Sequence, residues 1–541
     1  MGDPIQTIVI VGGGTAGWLS AVYLNEALSP SPGTAGPRPR CAIVLVESSD
    51  IPTIGVGEAT VPYIRDTFAF CGIDEADWLT KCNASFKMAV KFVNWSTKNP
   101  IFYNPFDYCP PVRGLPLQHY WLKRKLLGNS DRFDYACLSV PHLCDAKKAP
   151  KQGHEERYHG QVRYAYHLDA GLLAAYLKDL AIRRGVTQVV DKVTAVALDD
   201  EGHISHLTTQ HHGSIHGDLF IDCSGFRGLL INQTLKEPFI SFSDSLFCDS
   251  AVAIPVATDD EKYGIEPYTT ATALTCGWAW KTPLFGRSGN GYVYSSAFIT
   301  PEDAERELRQ HLGLVSDEPP ARHIKMRVGR SRNAWVNNCV SIGLSSGFIE
   351  PLESTGIFFI DFALFNLIQN FPDKGFASVL LDKYNSIMRS YYEELRDFIV
   401  LHYCTTDRED TPFWRENKYH PAIPESLGGK LELWRVMLPS HESVDPTRVF
   451  PDVSYVSILA GMDSLPERSL PILSFVDDSE AEEAFKGVRL RASNLSSVLP
   501  DHYRYLAAVH RGDFEAARRS EEVDGGIDER LTAWLEKVSE Q

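Results

Sequence analysis

The chain has 541 residues, 44% of them apolar and 11% aromatic, with 53 basic against 70 acidic side chains and a formal net charge of −17. That apolar fraction supports a large buried core and excludes disorder as the main state. The acidic balance, without a basic block, excludes nucleic acid or an anionic membrane as the main partner, and the length suggests three or four domains at roughly 150 residues each.

The opening Met1-Gly2-Asp3-Pro4 carries no basic region followed by an apolar one, and no apolar run reaches the ~18 residues of a membrane span, so a soluble cytoplasmic protein is expected. Residues 5–11 (IQTIVIV) form a β-branched run that predicts a buried strand. It leads into Gly12-Gly13-Gly14-Thr15-Ala16-Gly17-Trp18 and then a helical stretch, LSAVYLNEAL. A Pro/Gly-rich linker (29–40) separates this from a second buried strand, 41–47 (CAIVLVE), completing a βαβ unit with an enlarged return loop. Residues 167–184 predict a helix. Three strand-like segments after it (QVVDKVTAVALD, HISHLTTQ, SIHGDLFIDCSG) suggest a meander, and 239–296 read as strands of a second, mixed sheet. From Thr300, a cap followed by Pro301, the signals turn helical, with long segments at 356–371, 375–401 and near the C-terminus. The eleven cysteines lack CxxC spacing and are odd in number, which fits reduced thiols better than a disulfide framework or a zinc site.

Gly12-x-Gly14-x-x-Gly17 sits where a dinucleotide fingerprint must sit: after a strand, opening a helix, and followed by an acid, Glu47, at the end of the next strand. Gly12 permits the tight turn, Gly14 lets a pyrophosphate approach the backbone, and Gly17 lets helix and strand pack closely, while the helix N-terminus faces the diphosphate. Glu47 is expected to take a ribose hydroxyl. No second such motif follows a strand, which favours one FAD reduced by something not carried on this chain. The bland alternative is a glycine-rich turn without ligand.

Five segments in order resemble the flavin-dependent tryptophan halogenases: GGGTAGW (12–18), IGVGEATVP (54–62), NASFKMAVKFVNW (83–95), GWAWKTP (277–283) and GLSSGFIEPLESTGIFF (343–359). On the residues alone, Lys87 between apolar neighbours reads as a lysine that snorkels to water. The resemblance instead implies the active-site lysine, which directs hypohalous acid to a ring carbon either as a covalent chloramine or as a hydrogen-bond donor. Pro351, a Ser354 cap and the run after Thr355 mark a helix N-terminus, whose amides suit an anion. The resemblance assigns halide to Thr355 and Gly356, flavin contacts to Thr15, Ala16, Val193, Leu344 and Ile357, and a role facing the substrate to Glu353. The bland reading of Glu353 is a first-turn acid complementing the helix dipole. Trp278-Ala279-Trp280-Lys281-Thr282-Pro283 matches the family's Trp-x-Trp-x-Ile-Pro with threonine for isoleucine, and 55–62 matches its strap between flavin and substrate.

The resemblance implies an α/β fold of the Rossmann-type flavoprotein monooxygenase kind. An FAD-binding module (1–360) would interleave with a substrate-side sheet (about 80–160 and 239–330), and a mainly helical region (361–541) would cover the site. The implied activity uses reduced FAD from a separate flavin reductase, O2, and chloride or bromide to halogenate a small indole-like aromatic; a homodimer is left open. The family's adjacent tyrosines and glutamate for a free amino acid have no clear counterpart around 450–455, which widens the substrate to indole, a derivative or a larger tryptophan-containing compound. Phe102, Tyr103 and Phe106 either sandwich the ring or pack ordinarily. Alternatives are an FAD-dependent aromatic hydroxylase and, from another class, a non-catalytic Rossmann-type binding protein. The histidines at 203, 206, 211, 212 and 216 read as an exposed edge of the meander, and no metal is expected.

Overall fold

A computed structural model describes residues 2–28, 41–50, 57–420, 422–441, 444 and 449–512. The linker 29–40, Gly55 of the strap and residues 513–541 lie outside the described residues. The β-branched run forms β1 (Thr7–Val11), followed by helix α1 (Thr15–Leu28) and strand β2 (Ala42–Glu47). β1 is central to a six-stranded sheet ordered Thr187–Val190, β2, β1, Leu219–Asp222, Cys339–Ser341, Trp335–Val336, parallel except for the last pair. Such a sheet is buried on both faces, which is why β1 reads as an unbroken apolar run rather than an alternating one.

The expected meander is smaller than its three segments. Residues 187–190 and 219–222 join the parallel sheet, and only Val193–Leu198, Ile204–Thr209 and Gly213–His216 form the antiparallel meander. His167, expected to be helical, lies on a strand, with the helix running over Ala170–Arg183. Four short strands (Arg322–Lys325, Gly329–Ser331, Trp335–Val336, Cys339–Ser341) occupy a stretch expected to be helical. At two to four residues each they are too short to carry a period of their own.

Strands β3 (Gly57–Ala59) and β4 (Ser85–Lys87) flank β7 (Ala165–Asp169) in a small sheet, with Glu58 opposite Leu168 and Lys87 opposite Ala165. Strands β5 (Ala89–Val93) and β6 (Ile101–Pro105) close one edge of a seven-stranded sheet whose other members come from residues 250–325. β5 joins it by the one parallel pairing, to Tyr268–Leu274. Helices α2 (Gly356–Gln369), α3 (Ser378–Cys404), α4 (Asp452–Gly461) and α5 (His502–His510) then wrap back. α2 packs on α1, α4 on β6, and α5 reaches β4. One large apolar core runs through the parallel sheet, the Lys87 strand and α2 to α5.

Candidate active site

At the end of β1 the chain turns through Gly12 at φ +116°, where a Cβ would lie 2.2 Å from the Cys223 carbonyl oxygen, so only glycine fits. The first bond of the following helix runs from Trp18 N to Gly14 O at 3.1 Å, which leaves the amides of Thr15, Ala16 and Gly17 ahead of the helical ladder. A Cβ on Gly14 would meet nothing within 4 Å, so a cradle stands open over those amides. Glu47 closes its side, its Oε1 bonded by Gln188 (2.6 Å) and Lys178 (3.2 Å). An open cradle, ladder-free amides and an acid at the next strand end fit a dinucleotide. The turn Gly343–Ser345, carrying Leu344, sits between Ala16 and Ile360 of α2, whose first turn holds Ile357. Val193 packs among Val9, Val11 and Val46 on the opposite side of the parallel sheet.

Lys87 is fully buried. Its Nζ donates to Ser354 Oγ at 2.7 Å and to the Thr60 carbonyl at 3.1 Å, and it lies 4.9 Å from the Phe106 ring centroid. Burial pushes the ammonium down to about 7, against the pull of Glu353. The snorkelling reading therefore fails, since Nζ reaches protein oxygens and not water. Ser354 itself sits at φ +63°, a conformation unusual for a residue with a Cβ, which turns its hydroxyl toward Lys87. It is consequently not the expected cap. The N-cap of α2 is Thr355, which makes no side-chain cap bond. Its Oγ1 is buried without a partner, beside a helix N-terminus whose first bond is Phe359 N to Thr355 O. An unpartnered hydroxyl with open first-turn amides fits a small anion.

Glu353 is also buried. Its Oε1 accepts from Asn104 Nδ2 and faces His402 Nε2, each at 3.0 Å. Three residues upstream Glu350 accepts from Trp278 Nε1 (2.6 Å) and Tyr403 OH (2.8 Å), and burial pushes its carboxyl up to about 7. The Trp-x-Trp strand is thus tied to the turn that carries Glu353, Ser354 and Thr355, a bond that a reading of two core aromatics does not contain. The strap touches both Lys87 and the end of this turn. Thr60 bonds Lys87, while Glu58 Oε2 lies 3.8 Å from where a Gly356 Cβ would be.

Across all of this geometry the sequence model of the tryptophan halogenase family matches residues 7–478. The chain belongs to the tryptophan halogenase family. It is 44% identical over 524 residues to tryptophan 6-halogenase SttH of Streptomyces toxytricini, covering 93% of this chain and 98% of that one. Tryptophan 7-halogenase RebH of Lentzea aerocolonigenes is 40% identical over 541 residues, covering 94% and 100%. Among solved structures, the SttH crystal structure superposes with a TM-score of 0.86 at 45% identity, covering 93% and 100%. A tryptophan C-6 flavin-dependent halogenase (chlorinase) from taromycin biosynthesis gives 0.87 at 43%, covering 94% and 100%. The protein is therefore a flavin-dependent halogenase on a Rossmann-type α/β fold, and the hydroxylase and binding-scaffold alternatives are set aside.

For this halogenase the strand alternation of β6 separates the two aromatics singled out in the sequence. Phe102 and Asn104 share one face with Glu353 and His402, and Phe102 stacks on Phe92 (4.9 Å, 11°). Gly461 of α4 approaches so closely that a Cβ would lie 2.4 Å from the Phe102 ring. Tyr103 points to the other face, its hydroxyl 2.7 Å from Asp145 and its ring against Tyr268 and Tyr135. Neighbouring residues on a strand face opposite sides, so Tyr103, also expected at the substrate, lies on the face away from Glu353. Asn104, His402 and the supports of β4 carried no motif. Ser85 Oγ contacts Pro283 O (2.5 Å) and His167 Nδ1 (3.1 Å), and Phe86 N donates to His502 Nε2 (3.0 Å) from a helix 416 residues away. In the histidine-rich patch, His211 and His212 bond Asp191 and the His206 ring lies tilted against His216. Among the described residues no group of three or more His, Cys, Asp or Glu could hold a metal, and no helix is long and apolar enough to cross a membrane.

Proposed function

We propose that the protein halogenates an indole-like aromatic, tryptophan or a tryptophan-containing compound, with chloride or bromide as co-substrate. The names of its relatives, tryptophan 6- and 7-halogenases, support this substrate class. The Gly12–Gly17 turn would hold reduced FAD, supplied in trans by a separate flavin reductase, and the bound group would supply, with O2, the oxidising equivalent needed to turn halide into hypohalous acid. Thr355 and Gly356 hold the halide at the α2 N-terminus, where a local dipole offsets the acidic surface. Lys87 receives the hypohalous acid and orients its halogen toward the ring carbon. Glu353 and Phe102 face the ring, and the burial of Lys87 and Glu353 keeps out water that would otherwise divert the oxidant.

One observation carries the reading. Lys87 and Ser354, 267 residues apart, meet at 2.7 Å in a fully buried site next to an unpartnered Thr355 hydroxyl. The test is product mass spectrometry with reduced FAD, an indole and tryptophan panel, and each halide in turn. Halogenated product that depends on halide is expected, and Lys87→Met is expected to abolish it while FAD still binds. Product formed equally without halide, or full activity in Lys87→Met, overturns the proposal.

A further inference from the structure

Glu353 and His402 are joined by a bond that requires a proton count. His402 Nδ1 lies 2.7 Å from the carbonyl oxygen of Phe398, one turn earlier on α3. A carbonyl only accepts, so Nδ1 carries a hydrogen. The other ring nitrogen lies 3.0 Å from Glu353 Oε1, with the imidazole fully buried and the carboxyl nearly so. A bare nitrogen and a carboxylate at that distance would be two acceptors facing one another in a dry site. One further proton therefore sits between them, on the carboxyl or on the ring. Asn104 Nδ2 donates to the same Oε1 and so fixes that oxygen as an acceptor, while its own Oδ1 is buried without a partner. The charged and titratable groups around the pair are Lys87 on β4, Tyr403 with its Glu350 on the adjacent turn, and Tyr455 of α4 behind Phe398. Phe92 of β5 and Trp95 just beyond its end wall the imidazole with rings 5.2 and 6.1 Å away.

We propose that His402 is a positioning residue that stores this proton for Glu353, so that the pair gives it to the leaving oxygen of hypohalous acid and recovers it from the ring carbon. The proposal rests on the reading of Glu353 as the group that faces the aromatic. In the step, the ring carbon–halogen bond forms as the halogen–oxygen bond breaks. The departing hydroxide oxygen takes the stored proton and becomes water. The carbon–hydrogen bond then breaks, its electron pair restores the aromatic ring, and its proton returns to Glu353. The pair ends as it began, Lys87 gains and loses no proton in the step, and the net change is aromatic C–H plus hypohalous acid to carbon–halogen plus water. Without His402, Glu353 still faces the ring but has no partner to hold the proton between turnovers.

His402→Gln keeps an N–H directed at Glu353 but holds no exchangeable second site. It is expected to lower kcat about a hundredfold or more, the scale of general acid–base help, with KM for the aromatic within about twofold. It is also expected to remove one ionisation from the kcat–pH profile. A profile that merely scales by a constant factor, or an unchanged kcat, overturns the proposal. Nitrogen-15 NMR of histidine-labelled wild-type enzyme gives an answer independent of that variant's folding. His402 is expected to keep Nδ1 protonated across the pH range, with an Nε2 shift that moves to that of a bare nitrogen in Glu353→Gln. An unprotonated Nδ1 in the wild type, or an Nε2 shift unaffected by Glu353→Gln, overturns it. If the wild-type enzyme halogenates none of the aromatics, the substrate reading fails, while the NMR result still decides whether the proton is shared.

Discussion

Thr355→Val separates folding from halide binding because the two effects are expected to have opposite signs. Thr355 is 1% exposed and its Oγ1 has no partner, although it caps α2. Valine keeps the β-branched shape, and the only helix bond from this residue, Phe359 N to its carbonyl, is untouched. No side-chain cap bond exists to be lost. A buried hydroxyl without a partner costs about 1–3 kcal/mol, so its removal is expected to raise stability by about 1 kcal/mol. With halide bound, the same hydroxyl donates to an anion, an interaction of about 1.5–3 kcal/mol, so its loss is expected to raise the halide KM roughly 10- to 150-fold. Initial rates against chloride and bromide, at saturating reduced FAD and aromatic, read the second effect. Denaturant unfolding reads the first. An unchanged halide KM would refute the assignment of Thr355 to the halide. A loss of stability would mean that the hydroxyl is partnered after all.

Two further outcomes follow from the strap and from α5. Burial pushes the Glu58 carboxyl up to about 7, and the group overhangs Gly356 at the α2 N-terminus. Its folded value is raised, so it is neutral below about 7 and an anion above. A carboxylate at that helix end competes with halide. The halide KM is expected to climb about tenfold per pH unit above 7 in the wild type and to lose that slope in Glu58→Gln, as measured by halide saturation between pH 6 and 9. His502→Phe keeps a ring but strands the Phe86 N–H and the Ile265 carbonyl, each a buried group worth about 1–3 kcal/mol. Reduced stability in urea and a fall in kcat through the loosened Lys87 strand are expected, with FAD binding retained; equal stability and kcat would remove His502 from the support of β4.

The parts of this enzyme written in its sequence are those whose physics is local. The glycine turn needs only a strand, a positive-φ residue and a helix start within a dozen residues, so Gly12 to Gly17 and Glu47 were legible in one pass. Pro351 and the apolar run after Thr355 likewise marked a helix N-terminus. What local pattern misassigned was the use made of it. Ser354 has the chemistry of a cap, but a lysine 267 residues away competes for its hydroxyl and leaves Thr355 open to an anion. Tyr103 and Phe102 are equivalent in composition, and only the pairing of β6 with β5 decides which of them faces Glu353.

Asn104, His402 and His502 carry no motif, because a lone polar residue on a strand or helix says nothing about what will be folded against it. The sequence by itself determined the glycine turn after β1 and the two helix N-termini. The tertiary structure alone decided which buried donor meets which acceptor. Hydrogen bonds inside a dry core are set by the packing of distant elements, and a pair such as Phe86 and His502, 416 residues apart, has no local signature.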